Sequence, residues 1–172
     1  MTLRALVLVA ACTSGCMLSP LPDARTPADR AREMQPKCRQ ESDASAAAVL
    51  APGAIESVEP DYERVPSSSG YDKRMLGARL AVRPLPGLTR ESLARALQCH
   101  QVRVVTGEGR ALVDDPYVLP DDWLTIDVDS TGDGFAVTVY PVDYKGAMTV
   151  LARARQYAAS RPPAAAAAVV AP

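Results

Sequence analysis

The chemistry open to this chain begins with one histidine. His100 is the only one, and it directly follows Cys99. Adjacent side chains on a helix point about 100° apart, so these two make a poor nucleophile–base pair. No Asp or Ser is tied to His100 by spacing, and a lone histidine cannot supply a His-based metal site. A Cys-His haem attachment would need a cysteine where Ala96 stands. The reading that fits is a histidine packed against a sheet. Ser67, Ser68 and Ser69 lie in a turn with no base nearby in sequence, and no glycine-rich phosphate loop is present. No catalytic set converges, so the expectation is a protein that is not an enzyme and takes no cofactor.

The acids offer different chemistry. Asp127-x-Asp129-x-Thr131-Gly132 matches the start of the calcium-loop pattern D-x-[DN]-x-[DN]-G. Thr131 stands where the third acidic or amide ligand belongs, and Thr138 where the bidentate Glu belongs. The flanks alternate like strands. Asp127, Asp129 and Asp133 are therefore weak metal candidates in what reads as a hairpin, and divalent-metal binding is the alternative function. Charge is unevenly spread: residues 71–110 carry eight basic and three acidic groups, and residues 111–145 carry eight acidic groups against Lys145. The plain explanation is mutual compensation. The sharper one is a dipolar surface that steers a charged envelope protein or polysaccharide. Tyr117 and Trp123, flanked by acids, either form a small recognition patch or pack into the interior.

Six elements are expected to position these residues. Ile55 to Val58 and Arg74 to Arg83 read as strands around the turn cluster Pro66–Gly70, which suggests an antiparallel pair, 55–64 with 74–83. In the second strand, Leu76, Ala78, Leu80 and Val82 share one side, and Arg79 and Arg83 the other. Thr89 is an N-cap for a helix over 89–100, with Glu91 in its first turn and Leu88 and Leu93 spaced as a hydrophobic staple. Val102–Val105 is either a strand or the exit of that helix. Two prolines and four acids make 114–122 an irregular loop. Trp123–Asp129 and Phe135–Tyr140 alternate as the clearest hairpin, joined by Ser130–Gly134 with two glycines free to take positive φ. Asp143 caps a last helix over 144–158, striped by Ala147, Val150, Leu151, Ala154 and Ala158, with Arg153 and Arg155 in its final turns. The expected fold class is α+β. It is a small two-layer sandwich of antiparallel strands with two helices on one face, in the order ββαββα.

The N-terminus carries the strongest signal. Arg4 gives a basic start, Ala5–Ala11 is an unbroken apolar run, Thr13-Ser14-Gly15 is small, and Cys16 follows. That order is a secretion signal. It resembles the signal of bacterial lipoproteins, in which a peptidase cuts before a cysteine that then carries lipid. The resemblance covers about the first tenth of the chain. It implies a membrane attachment through an acyl (palmitate-type) anchor on Cys16 and a place in the bacterial cell envelope. Met17-Leu18, with no Asp after the cysteine, implies the periplasmic face of the outer membrane. Cys12 is the alternative lipid site: Val9-Ala10-Ala11 fits the motif better than Thr13-Ser14-Gly15 does, yet it leaves a short apolar core and three further cysteines. A cut before Cys16 leaves Cys38 and Cys99 as an even pair in an oxidising compartment. A Cys38–Cys99 disulfide is the expectation, with two free buried thiols as the other outcome.

The expected layout is a lipoprotein signal peptide over 1–15, a flexible tether over 16–53, the α+β domain over 54–158 and a disordered Ala/Pro tail over 159–172. Pro20, Pro22, Pro27 and Pro36 punctuate the tether, leaving room for a helical turn or two over Ala28–Gln35 and an Ala-rich helix over 44–50. The 172 residues suit one domain, and all eight aromatics lie between Tyr62 and Tyr157. Without the signal the chain carries 18 basic and 20 acidic groups, a net charge of −2, which gives no support for nucleic-acid binding. No second apolar run approaches the ~18–20 residues of a spanning helix. The function expected is a lipid-anchored, non-enzymatic interaction or structural module of the envelope.

Overall fold

The computed structural model describes residues 25–41, 47, 48 and 50–160. The lipid-site candidates Cys12 and Cys16, the signal over 1–15, most of the Ala-rich helix over 44–50 and the tail beyond Ser160 lie outside the described residues. Four strands form one antiparallel sheet: β1 (Ile55–Ser67), β2 (Gly70–Val82), β3 (Thr125–Thr131) and β4 (Gly134–Tyr140), in the spatial order β1-β2-β4-β3. Among the described residues three α-helices of more than two turns accompany them: α1 (Pro27–Cys38), α2 (Arg90–Thr106) and α3 (Tyr144–Ala159). The fold is α+β with the order αββαββα, one helix more than the sequence suggested.

Alternation builds the inner face of the sheet. Ala78 lies opposite Val139, Leu80 opposite Val137 and Val82 opposite Phe135, while Ile126 and Val128 continue the rows from the other side of β4. All are buried in one cluster with Leu93 and Leu97 of α2 and Ala147, Val150 and Ala154 of α3. Each such Leu or Val is worth roughly 1.5–3 kcal/mol of burial.

Two bulges set which residues enter this cluster. Pairing slips at Glu56, so that Ile55 and Val58 both face inward, and again at Leu76, so that Met75 faces inward with Ala78. The expected stripe is therefore corrected at one position, with Met75 buried and Leu76 half-buried. Beside that bulge, Gly77 runs so close to β4 that a Cβ there would overlap the Val139 carbonyl.

Helix α2 starts at Thr89, whose hydroxyl accepts from Ser92 N–H while the Ser92 hydroxyl accepts from Thr89 N–H. It runs on to Thr106 and stops at Gly107, which takes a left-handed conformation at φ 77° and donates to the Arg103 and Val104 carbonyls. The apolar run Val102–Val105 is thus the last turn of the helix and not a strand. The turn after β3 is shorter than expected, Gly132-Asp133, and the positive φ falls on Gly134.

The expected tether over 16–53 is overturned between Pro27 and Cys38. Thr26 and Asp29 form a reciprocal capping box, and Pro27 sits at the first helical position, where its missing N–H costs nothing. Pro36 falls in the final turns. Helix α1 packs on α2, burying Ala31 and Cys38 against Cys99 and Val102, with Met34, Val105 and Trp123 around them. Cys38 and Cys99 are joined as a disulfide with a Cα–Cα distance of 5.3 Å.

Candidate functional site

His100 lies on the stretch of α2 that faces the loop after the helix. There it meets Asp115: Nε2–H donates to Oδ2 at 2.7 Å. Both side chains are enclosed, with 8% and 1% exposed. The pairing partner is therefore a loop acid and not a sheet surface. Asp115 Oδ1 also accepts from Tyr117 N–H at 3.0 Å, and Oδ2 from Leu112 N–H at 3.4 Å. One carboxylate thus gathers three donors and folds the acidic loop over the helix. Arg153 of α3 completes the hold, donating to the Val118 carbonyl at 2.8 Å and the Asp115 carbonyl at 3.3 Å. Its cation binds the loop and does not complement the helix dipole, since no basic residue lies in the last turn of α3. Gln101, a residue no sequence pattern singled out, is buried beside His100 and donates to the Leu124 carbonyl at 3.2 Å.

Two phenols adjoin this network. Tyr117 is fully buried, and its hydroxyl finds no hydrogen-bond partner among the described residues. Burial pushes its pKa well above the ordinary value of 10.0, with Tyr157 and Asp115 adding to the rise. Tyr157 donates to the Leu50 carbonyl, and burial followed by the Asp115 charge pushes it up to about 12. Tyr117 and Trp123 do not form a shared patch. Tyr117 is core, whereas Trp123 leans on the α1–α2 contact and lines a cleft of about 490 Å³ with Arg25, Pro27, Asp122, Val142 and Lys145. In that cleft Asp122 accepts from Val142 N–H at 3.0 Å, and Asp143 caps α3 by accepting from Gly146 N–H at 2.7 Å.

The calcium-like acids are dispersed. Asp127 and Asp129 stand on the outer face of β3, opposite Thr138 and Ala136, and Asp133 is at the tip of the turn. Among the described residues no group of three or more His, Cys, Asp or Glu is placed to hold a metal ion. On that outer face Asp127, Thr138, Arg79 and Glu59 form one cross-strand row. Tyr140 and Asp61 flank Gly77 in the next row, and burial and then the Asp61 charge raise the Tyr140 pKa. Cys99 carries no thiol chemistry, being bonded to Cys38.

An arm projects from the sheet. Strand β2 pairs with β4 only over Ala78–Val82, but with β1 down to the hairpin turn at Gly70. Residues 61–77 therefore project past the sheet as a two-stranded ribbon, with Tyr62 and Tyr71 exposed on it. Its edge strand carries Pro60 and Pro66, which withhold donors from a further strand. No protein family matches this chain, and neither does any curated protein or solved structure.

Proposed function

We propose that this chain is a lipid-anchored lipoprotein of the bacterial envelope whose α+β domain works as a non-enzymatic interaction module. The anchor is carried by the ordered run of Arg4, Ala5–Ala11, Thr13-Ser14-Gly15 and Cys16. The observation that carries the module is the projecting β1–β2 arm. A two-stranded ribbon is marginal by itself in water, and exposed rings on it are what a contact surface uses. A Cys38–Cys99 cystine is consistent with an oxidising compartment. His100, Asp115 and Arg153 are engaged in holding the acidic loop. The lipid would place the domain at the periplasmic face of the outer membrane.

The test is made on the protein purified from envelopes. Mass spectrometry is expected to find an N-terminal acylated Cys16, and cross-linking in intact envelopes is expected to trap a neighbour through the arm. An uncleaved N-terminus, or a mature N-terminus acylated at neither Cys16 nor Cys12, sinks the anchor; acylation at Cys12 moves it there. Cross-links that never involve residues 61–77 sink the module as drawn.

A further inference from the structure

The Leu76 bulge sorts the arm into two unlike faces. Across the ribbon Tyr62 lies opposite Met75, Arg64 opposite Lys73, and Pro66 opposite Tyr71. These share the side on which Met75 enters the core. Tyr71 is 75% exposed and Tyr62 51%, and Arg64 and Lys73 are exposed between them. The Lys73 ammonium lies 6.0 Å from the Tyr62 ring centre. This face therefore holds two rings, two cations and no acid. The opposite face carries the Glu63–Arg74 ion pair, Val65 and Asp72.

Topology adds to that end of the molecule. β4 ends at Tyr140 beside the base of the arm, so α3 begins at the same end of the molecule. Val142, Tyr144 and Met148 are exposed there. Of seven exposed large apolar side chains among the described residues, five gather at this end. The described chain also enters here, since Arg25 and Pro27 line one cleft with Val142 and Lys145.

We propose that this end of the molecule, led by Tyr62, Arg64, Tyr71 and Lys73, seats on an anionic phospholipid surface. Tyrosine rings favour the depth of lipid headgroups, and Lys and Arg reach the phosphates beside them. The surface is convex. A small ligand calls for a concavity, whereas a bilayer needs none. The inference rests on the anchored reading for its reach: from Cys16 to Pro27 is eleven residues, at most about 40 Å of extended chain. An anchor at that distance, joined to the domain at the end that bears the arm, supplies a high effective concentration for a weak contact.

The experiment uses the full mature protein with Tyr71→Trp, in vesicles of phosphatidylcholine with or without phosphatidylglycerol, both containing brominated acyl chains. Emission from the introduced Trp is expected to shift blue and be quenched when phosphatidylglycerol is present. That quenching should disappear in high salt, which screens the contact, and in the Arg64→Ala/Lys73→Ala variant. Hydrogen exchange of residues 62–75 in the unaltered protein gives a second reading, with slower exchange expected only on the anionic vesicles. An acylated, vesicle-bound protein with no quenching and no slowed exchange overturns this inference and leaves the anchor standing. Quenching by a protein that mass spectrometry finds unacylated supports the contact and removes the anchor. Slowed exchange with a soluble acidic polysaccharide but not with vesicles overturns it in favour of a glycan.

Discussion

At the scale of residues, the polar interior is organised by Asp115. Its carboxylate takes donors from His100, Tyr117 N–H and Leu112 N–H, so its removal leaves several groups unsatisfied at once. Breaking such a buried pair costs about 3–5 kcal/mol. Asp115→Ala is expected to lower stability by about 3 kcal/mol in urea titration; a loss near that of a surface ion pair, under about 1 kcal/mol, would show that the pair does not hold the loop. Tyr117→Phe should behave in the opposite way. It deletes a buried hydroxyl with no partner among the described residues, so the variant should be neutral or stabilised by up to about 1 kcal/mol. Both phenols also predict a pH dependence. Their folded pKa values lie above the ordinary 10.0, Tyr157 at about 12. The folded state thus retains protons that the unfolded chain releases. This stability is fully present below about pH 10 and is lost as pH climbs toward about 12. Tyrosinate absorbance and loss of helical circular dichroism should then rise together, and Tyr157→Phe should flatten the alkaline loss.

At the scale of elements, the third helix accounts for several features at once. With α1 in place, α2 has two apolar faces. Leu93 and Leu97 meet the sheet side, and Cys99, Val102 and Val105 meet α1. With 16–53 taken as a tether the second face lacks a partner, which is why the Val102–Val105 run reads equally as a strand or as the exit of the helix. The disulfide closes 61 residues, a loop whose closure entropy corresponds to roughly 4 kcal/mol. Reduction is expected to lower stability by up to that amount and to speed hydrogen exchange across 27–38 and 102–106, while β4 stays protected. Unchanged exchange in α1 after reduction would mean that packing alone holds the helix.

At the scale of the molecule, the sheet and its two packed helices make a platform with unlike ends. The described chain begins at the end that bears the arm, and the helix C-terminus of α3 lies by Leu50 at the other, where Tyr157 reaches its carbonyl. A lipid at Cys16 would therefore tether the arm end. Cys16→Ser is expected to abolish acylation and release the protein from washed envelopes. If the variant stays acylated, Cys12 carries the lipid. Among the described residues no helix is long and apolar enough to cross a membrane.

Local chemistry written in short stretches was legible in the chain itself. Period-two alternation identified β2, β3 and β4, the caps at Thr89 and Asp143 started α2 and α3, and the count of cysteines, with Cys16 set aside for lipid, pointed to a Cys38–Cys99 pair. These depend on neighbours one to four residues apart, or on simple parity. Contacts across long separations were decided only by the tertiary structure. His100 finds Asp115 fifteen residues away because the acidic loop folds back over α2. Pro27 and Pro36 read as breaks until α2 offers α1 a surface to bury Ala31 and Cys38. The Leu76 bulge appears only where β2 must approach both β1 and β4, and that single slip turns Met75 inward and aligns Tyr62, Arg64, Tyr71 and Lys73 on one side. Alternation specifies that a strand has two faces; the partner strands decide which residues occupy each.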